Sequence, residues 1–290
     1  MTNNPNGLTS QTIMDQQSLP LQPWRLLITP PTDGATNMAI DEAILQTLAS
    51  GESIPTLRFY QWNPPCLSLG YGQKSKDVDQ AACEKLGYTW VRRATGGRAI
   101  LHMDELTYSI ITRDDAPRVK GSIIESYRAL SQGLLAGLTH LGADAVEAKG
   151  KRKGRPESGG AACFDMPSHY EVTLNDKKLV GSAQVRRRGI VLQHGTLPLR
   201  GDITRIFQVL SYSPERKARL TRILLDRATT LEAELGRVVS FQEAVTAMSS
   251  GFSQILNIRL ETGTLTDLEQ AAVDRLRTEQ YANPAWNARL

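Results

Sequence analysis

Along the 290-residue chain the apolar positions switch repeatedly between the alternation of strands and the three-to-four spacing of helices. A short apolar run at 24–28, stopped by Pro30-Pro31, predicts a first strand. Met38, Ile44, Leu45 and Leu48 then recur near helical spacing, which predicts a scaffold helix capped by Thr36 or Asn37, with Asp41 and Glu42 in its early turns and Gly51 past its end. The next strand, 56–62, sets Leu57 and Phe59 opposite Arg58, Tyr60 and Trp62, and two prolines separate it from a strand at 67–71. A helix over 76–86 ending at Gly87, strands at 88–92 and 106–112, and a long amphipathic helix over 122–141 follow. Asn175-Asp176 sits between apolar runs at 170–174 and 178–185, a hairpin signal, and 190–199 is a further strand. Helical spacing covers 202–236 and 241–255, and a short strand from Asn257 and a helix begun at Thr264 or Thr266 complete the pattern. Strands set singly and in pairs among helices predict an α+β fold, a sheet with helices packed on it.

Composition narrows the class. The chain is 40% hydrophobic, yet no apolar run is long enough to cross a bilayer, so a globular protein with no membrane partner is expected. Residues 1–22, rich in Asn, Gln, Ser and Thr, read as a disordered leader without a signal-peptide core, and a cytoplasmic location follows as the expectation. Three widely spaced cysteines with no C-x-x-C pair argue against a disulfide framework or a cysteine-held metal. The net charge of +4 is modest, but cations cluster at 149–155 and 186–188, which suits an acidic partner. With no stacking ladder and no nucleic-acid module beside them, a protein fits better than nucleic acid.

Two stretches carry candidate chemistry. In the first, RRATGGRAILH, the pair Gly96-Gly97 permits a tight bend with exposed amides among Arg92, Arg93, Thr95, Arg98 and Ala99, a geometry suited to an anion or a carbonyl oxygen. Its spacing matches neither a Walker loop nor a dinucleotide fingerprint. His102 at its end reads as a structural histidine, and Gly70-Tyr71 upstream as a turn where backbone can approach a ligand. In the second, Cys163 follows Gly159-Gly160 and the cationic run, so it reads either as a buried thiol or as a nucleophile whose thiolate the nearby cations favour; Cys66 and Cys83 read as buried hydrophobes. Lys178 opens the returning strand of the hairpin, Gly181-Ser182-Ala183 leaves room for a ligand to lie against that strand, and His194-Gly195 sits on the next one.

The blocks NMAIDEA, TGGRAILH, ELTYSI, ACF, PSHYEV, KLVGSAQ, LQHGTLPL and EQYANPAWN, from about residue 24 to the end, resemble the biotin/lipoate ligase and octanoyltransferase superfamily, and within it the LipM-type octanoyltransferase branch. The resemblance implies a central mixed β-sheet flanked by helices, with a catalytic acyltransferase domain at 23–256 and a C-terminal strand–helix segment, 257–290, packed on it. It also implies octanoyl transfer from acyl carrier protein to a lysine of the glycine cleavage H protein or another lipoyl domain, by a monomer, through an acyl-Cys163 thioester steadied by Lys178. No cofactor is needed, because a thioester is already activated. Arg92 to Ala99, His102, Gly70, Tyr71, Gly181 to Ala183, His194 and Gly195 fall in or near the implied binding cleft, with Leu69, Tyr71 and Ala99 as an acyl-chain lining and Arg186 to Arg188 as a steering patch for the acidic partners. Ligases of the superfamily usually carry a third glycine where Arg98 stands and lack the cysteine. One departure is Met103-Asp104, where relatives place an acidic residue directly after the histidine. The runner-up activities are an ATP-dependent lipoate ligase, in which Cys163 is a bystander, and an amidotransferase between lipoyl domains; outside the enzyme class stands a carrier-binding relative without turnover.

Overall fold

The structure, a computed structural model, describes residues 18–149 and 170–290, and among these the strands fall into two sheets. The larger holds β1 (Gln22–Ile28), β2 (Thr56–Tyr60), β6 (Glu105–Arg113), β7 (Val146–Lys149), β8 (Tyr170–Leu174), β9 (Lys177–Arg187), β10 (Ile190–Pro198) and β11 (Ile258–Thr262), in the order β11-β1-β2-β6-β10-β9-β8-β7. Pairing is parallel from β11 through β1 to β2 and antiparallel beyond, so the sheet is mixed, as expected. A smaller sheet has the order β4 (Thr89–Arg92), β3 (Cys66–Leu69), β5 (Ile100–His102).

Alternation along the strands sorts side chains to two faces. Leu57, Phe59, Tyr108 and Ile110 meet helices α3 (Ile123–His140) and α6 (Phe241–Leu256). These helices cross where Gly133 and Gly137 face Met248, Gly251 and Phe252; a Cβ built on Gly251 would lie 2.2 Å from the Gly137 amide nitrogen. On the opposite face Leu27, Tyr60, Ile111 and Leu192 pack on α1 (Gly34–Ala49) and α7 (Asp267–Leu276). Helices α2 (Gln80–Leu86) and α4 (Pro214–Arg227) cover the small sheet through Cys83, Leu220 and Leu224. Two short helices, α5 (Leu231–Leu235) and α8 (Pro284–Asn287), fill the ends.

Several expected elements move. Asp33, not Thr36 or Asn37, caps α1: it accepts from the Thr36 amide, and Thr36 and Asn37 are already helical. Asp41 and Glu42 consequently lie mid-helix and buried. The strands at 56–62 and 67–71 end earlier, at Tyr60 and Leu69, and the helix over 76–86 is a 3₁₀ turn, Ser75–Asp77, before α2. The helix over 202–236 breaks into a 3₁₀ segment, Ile203–Gln208, then α4 and α5, because Ser213-Pro214 restarts the chain and Ala228 is extended. Cys66 and Cys83 are buried free thiols, and burial pushes them up to about 12 and about 11. No helix among the described residues is long and apolar enough to cross a membrane.

Candidate active site

A cleft of about 410 Å³ opens between the two sheets. Met38, Trp62 and Ile100 give it apolar walls, Gly181 to Ala183 and Gly195 form a low floor, and Arg93, Gly97, His102 and His194 supply the polar groups. The floor is low because Gly181 and Ala183, which pair with the cleft residues Thr196 and His194, put at most a methyl group on that face; Gly195 turns the other way, where a Cβ would lie 2.6 Å from the Tyr108 ring.

The glycine loop is held from beneath by Arg93. Its Nη2 donates to the carbonyls of Gly96 and Arg98, both at 2.8 Å, while Gly97, at φ 89°, sets its own carbonyl against Gly70. A Cβ on Gly70 would lie 2.0 Å from that oxygen, so only glycine admits the contact. The Tyr71 amide adds a bond to the Thr95 carbonyl at 2.8 Å. Gly70 and Tyr71 therefore buttress the loop.

Arg93 also orders two buried chains of hydrogen bonds that end on the cleft histidines. Its Nε donates to Thr95 Oγ1 (3.2 Å) and its Nη1 to Ser68 Oγ (3.1 Å). Each hydroxyl, having accepted from the guanidinium, directs its one proton onward: Thr95 to His194 Nε2 at 2.7 Å, Ser68 to His102 Nε2 at 2.8 Å. The opposite ring nitrogens then donate to carboxylates, His194 Nδ1 to Asp41 (3.4 Å) and His102 Nδ1 to Glu105 (2.6 Å). Glu105 further accepts from Thr107 and Thr196, and Trp62 stacks on the His102 ring, centroids 4.0 Å apart. Burial pushes His194 below its ordinary value, against the pull of Asp41, in keeping with a neutral ring accepting at Nε2. Burial would raise Asp41, but the Arg58 guanidinium at 2.8 Å and His194 outweigh it and hold the carboxyl below the usual range.

Lys178 is buried on β9, three residues before Gly181 or about 10 Å along the strand. The register with β8 shifts here: Val172 opposes Val180 but Thr173 opposes Lys178. Leu179 and Val180 both join the core under α3 and α6, so the extra residue returns Lys178 to the opposite face, that of Ala183. Cys163 lies outside the described residues, as does the cationic run at 150–155.

Other sequence-flagged residues stand back from the cleft. Arg92 is fully buried and donates to the carbonyls of Gly70, Tyr71, Gln73 and Asn287, so its charge is committed to the loop and the C-terminal segment. Leu69 and Ala99 pack into the core of the small sheet and Tyr71 lies on the surface under Arg289; the apolar lining belongs instead to Met38, Trp62 and Ile100. The steering patch at 186–188 is also divided. Arg186 donates to Gly121, Ser122 and Ser126 on one face, whereas Arg187 pairs with Glu42 on the other. Asp104 bonds Arg205 at 2.7 Å and stands 3.8 Å from Arg200. Sequence reasoning missed Met38, Asp41, Trp62, Ser68, Glu105, Thr107 and Thr196, although Asp41 and Glu105 lie in the NMAIDEA and ELTYSI blocks.

Fold and cleft together define an α+β enzyme whose cleft joins apolar walls to a buried set of arginine, histidine and hydroxyl groups. Residues 33–253 match the family described as the lipoyl protein ligase A/B catalytic domain, and the chain belongs to that family. It is 44% identical over 274 residues to Octanoyltransferase LipM of Kyrpidia tusciae, covering 93% of this chain and 100% of that one. It is 41% identical over 275 residues to Octanoyltransferase LipM of Brevibacillus brevis, with the same coverage. Among solved structures, a bi-partite lipoate protein ligase from Thermoplasma acidophilum superposes with a TM-score of 0.76 at 26% identity, over 92% of this chain and 96% of that one. A lipoate-protein ligase A bound with ATP gives 0.74 at 26% identity, over 92% and 99%.

Proposed function

We propose that this chain is an octanoyltransferase of lipoate biosynthesis that works through an acyl-Cys163 thioester. What carries the reading is an apolar-walled cleft beside the strand that bears Lys178, in a chain 44% identical to a named octanoyltransferase over that protein's whole length. The Cys163 thiolate attacks the carbonyl of an octanoyl thioester of acyl carrier protein; a new C–S bond forms, the old one breaks, and the pantetheine thiol leaves. The lysine amine of a lipoyl domain, such as the glycine cleavage H protein, then attacks the acyl-Cys163 carbon. An amide forms, the thiolate departs, and the amine's surplus proton is lost. Negative charge develops on the carbonyl oxygen in both halves, and Lys178 steadies it; one such donor is worth ~3 kcal/mol. Met38, Trp62 and Ile100 bury the chain at ~0.8 kcal/mol per methylene. Thr95, bonded to His194, and Gly97 shape the cleft where the thioester lies, and the protein acts as a monomer. The domain division is one catalytic body, 23–256, completed by 257–290.

The test is incubation with octanoyl acyl carrier protein in the absence of ATP, followed by intact mass measurement. The expected result is an adduct of one octanoyl group that is absent from Cys163→Ala. Activity that demands ATP and survives Cys163→Ala would establish the ligase chemistry instead.

A further inference from the structure

A second cleft, of about 530 Å³, lies beside the first and shares Ile100 and Thr196 with it. Leu101, Ile206 and Leu224 give it an apolar floor, and Arg200 and Arg205 stand at its wall beside Glu105 and Asp202, with the Arg200 side chain the more open of the two cations at 58% exposure. Asp104 bonds Arg205 and lies close to Arg200, which holds both guanidinium groups there. Leu224 comes from α4, whose sequence carries five basic residues, Arg216, Lys217, Arg219, Arg222 and Arg227, against Glu215 and Asp226. That excess of three is most of the chain's net +4, placed on one helix. Leu220 and Leu224 turn inward, so Arg219, Arg222 and Arg227 are exposed on its outer side. At its far end the helix is fastened to the strand bearing Lys178: Ala228 bridges Lys178, and the Thr229 amide donates to the Lys178 carbonyl at 3.1 Å.

A free acid needs one cleft, whereas an acyl thioester extends both ways from its carbonyl, into the acyl chain and into the arm that carries the sulfur. We propose that the second cleft takes the phosphopantetheine arm of the acyl donor, and that the outer face of α4 docks the acidic protein to which the arm is attached. This rests on the octanoyl-transfer reading. The arm's dimethyl and methylene groups match the apolar floor, its phosphodiester matches a guanidinium at the rim, and its thioester end reaches the shared residues Ile100 and Thr196, where the clefts meet. An acidic surface complements the basic helix, and that attraction weakens with salt.

Binding of fluorescent acyl carrier protein, with and without its phosphopantetheine arm, separates the two contributions without requiring turnover. Unmodified enzyme is expected to hold the armed form roughly tenfold tighter than the armless one. Met103→Trp, which fills the second cleft, erases that preference; Ile203→Trp serves if the first variant fails to fold. Arg222→Glu weakens both forms by roughly threefold and flattens the salt dependence, with an unchanged melting temperature. Equal binding of armed and armless carrier by the unmodified enzyme, a preference for the armed form that survives the tryptophan, or indifference to the α4 reversal would each overturn the assignment. A chain that binds the armed carrier but never becomes acylated would sink octanoyl transfer and leave the docking surface standing. Acylation from a small thioester without arm-dependent binding would do the reverse.

Discussion

Replacing Asp41 by alanine puts the polar support of the cleft to a quantitative test. The carboxylate accepts from Arg58 Nη1 and Ser109 Oγ at 2.8 Å, from the Tyr60 hydroxyl at 3.2 Å and from His194 at 3.4 Å, and all of these partners are buried. Removing one member of a buried pair and stranding the other costs about 3–5 kcal/mol. Arg58 keeps two bonds to Asn37 and a seat 3.8 Å over the Tyr60 ring, which pulls the loss toward about 3 kcal/mol. At roughly 2–4 °C per kcal/mol for a chain of this size, the melting temperature should fall by about 10 °C. Calorimetry of Asp41→Ala, Arg58→Met and the double variant decides the matter, because with both partners gone no orphaned charge remains and the losses should not add. A fall below about 2 °C for Asp41→Ala, or strict additivity in the double variant, would refute the reasoning.

Three further outcomes follow from the same structure. Gly251→Ala forces a Cβ into the Gly137 backbone at the crossing of α3 and α6, so stability should drop by about 1–3 kcal/mol in urea titration while kcat/KM at low temperature stays put. Lys178→Met should lower kcat by about a hundredfold with little change in KM; a pure KM effect in steady-state kinetics would remove it from the oxyanion. Burial keeps His194 below 6.5 in the fold, so as pH falls through 6.5 the unfolded chain takes up a proton that the fold refuses and stability declines; unfolding of His194→Gln should lack this first loss. The second loss, as pH falls below 4.5, should persist in that variant, because despite burial Asp41 is held low by Arg58 and Glu269 by Arg25.

Period and turn chemistry made much of the fold legible. The face division of β2 and the Asn175-Asp176 hairpin, with positive φ at both turn residues, could be read from spacing alone. Asp41 could not. Two carboxylates in a helix read as favourable charges near its start, and only the docking of α1 on the sheet brings Arg58 and His194 to one of them. The arginine run at 186–188 was readable in principle, because consecutive strand residues point to opposite faces and Arg186 and Arg187 cannot share a patch. The basic face of α4 stayed hidden inside a supposed single helix over 202–236, since its outer side is defined only once Leu220 and Leu224 are seen to turn inward. Lys178 is a different case: its face depends on one extra residue in the β8–β9 register, a tertiary irregularity that alternation cannot signal.

The C-terminal residues belong to the site's mechanics as much as the glycine loop does. Strand β11 pairs with β1 at the sheet edge, and Glu269 of α7 takes two bonds at 2.6 Å from Arg25, while also capping its own helix through the Thr266 amide. From there the chain runs to α8, where Asn287 accepts from the Arg92 amide (2.7 Å) and side chain, and Trp286 donates to the Arg92 carbonyl at 2.9 Å. Arg92 passes that hold to Gly70, Tyr71 and Gln73, and Gly70 is pressed against the Gly97 carbonyl at the cleft mouth. Arg92 and Arg93, adjacent in sequence, thus divide the work by strand alternation: one anchors the turn to the chain's end, and the other sets the loop and both histidines.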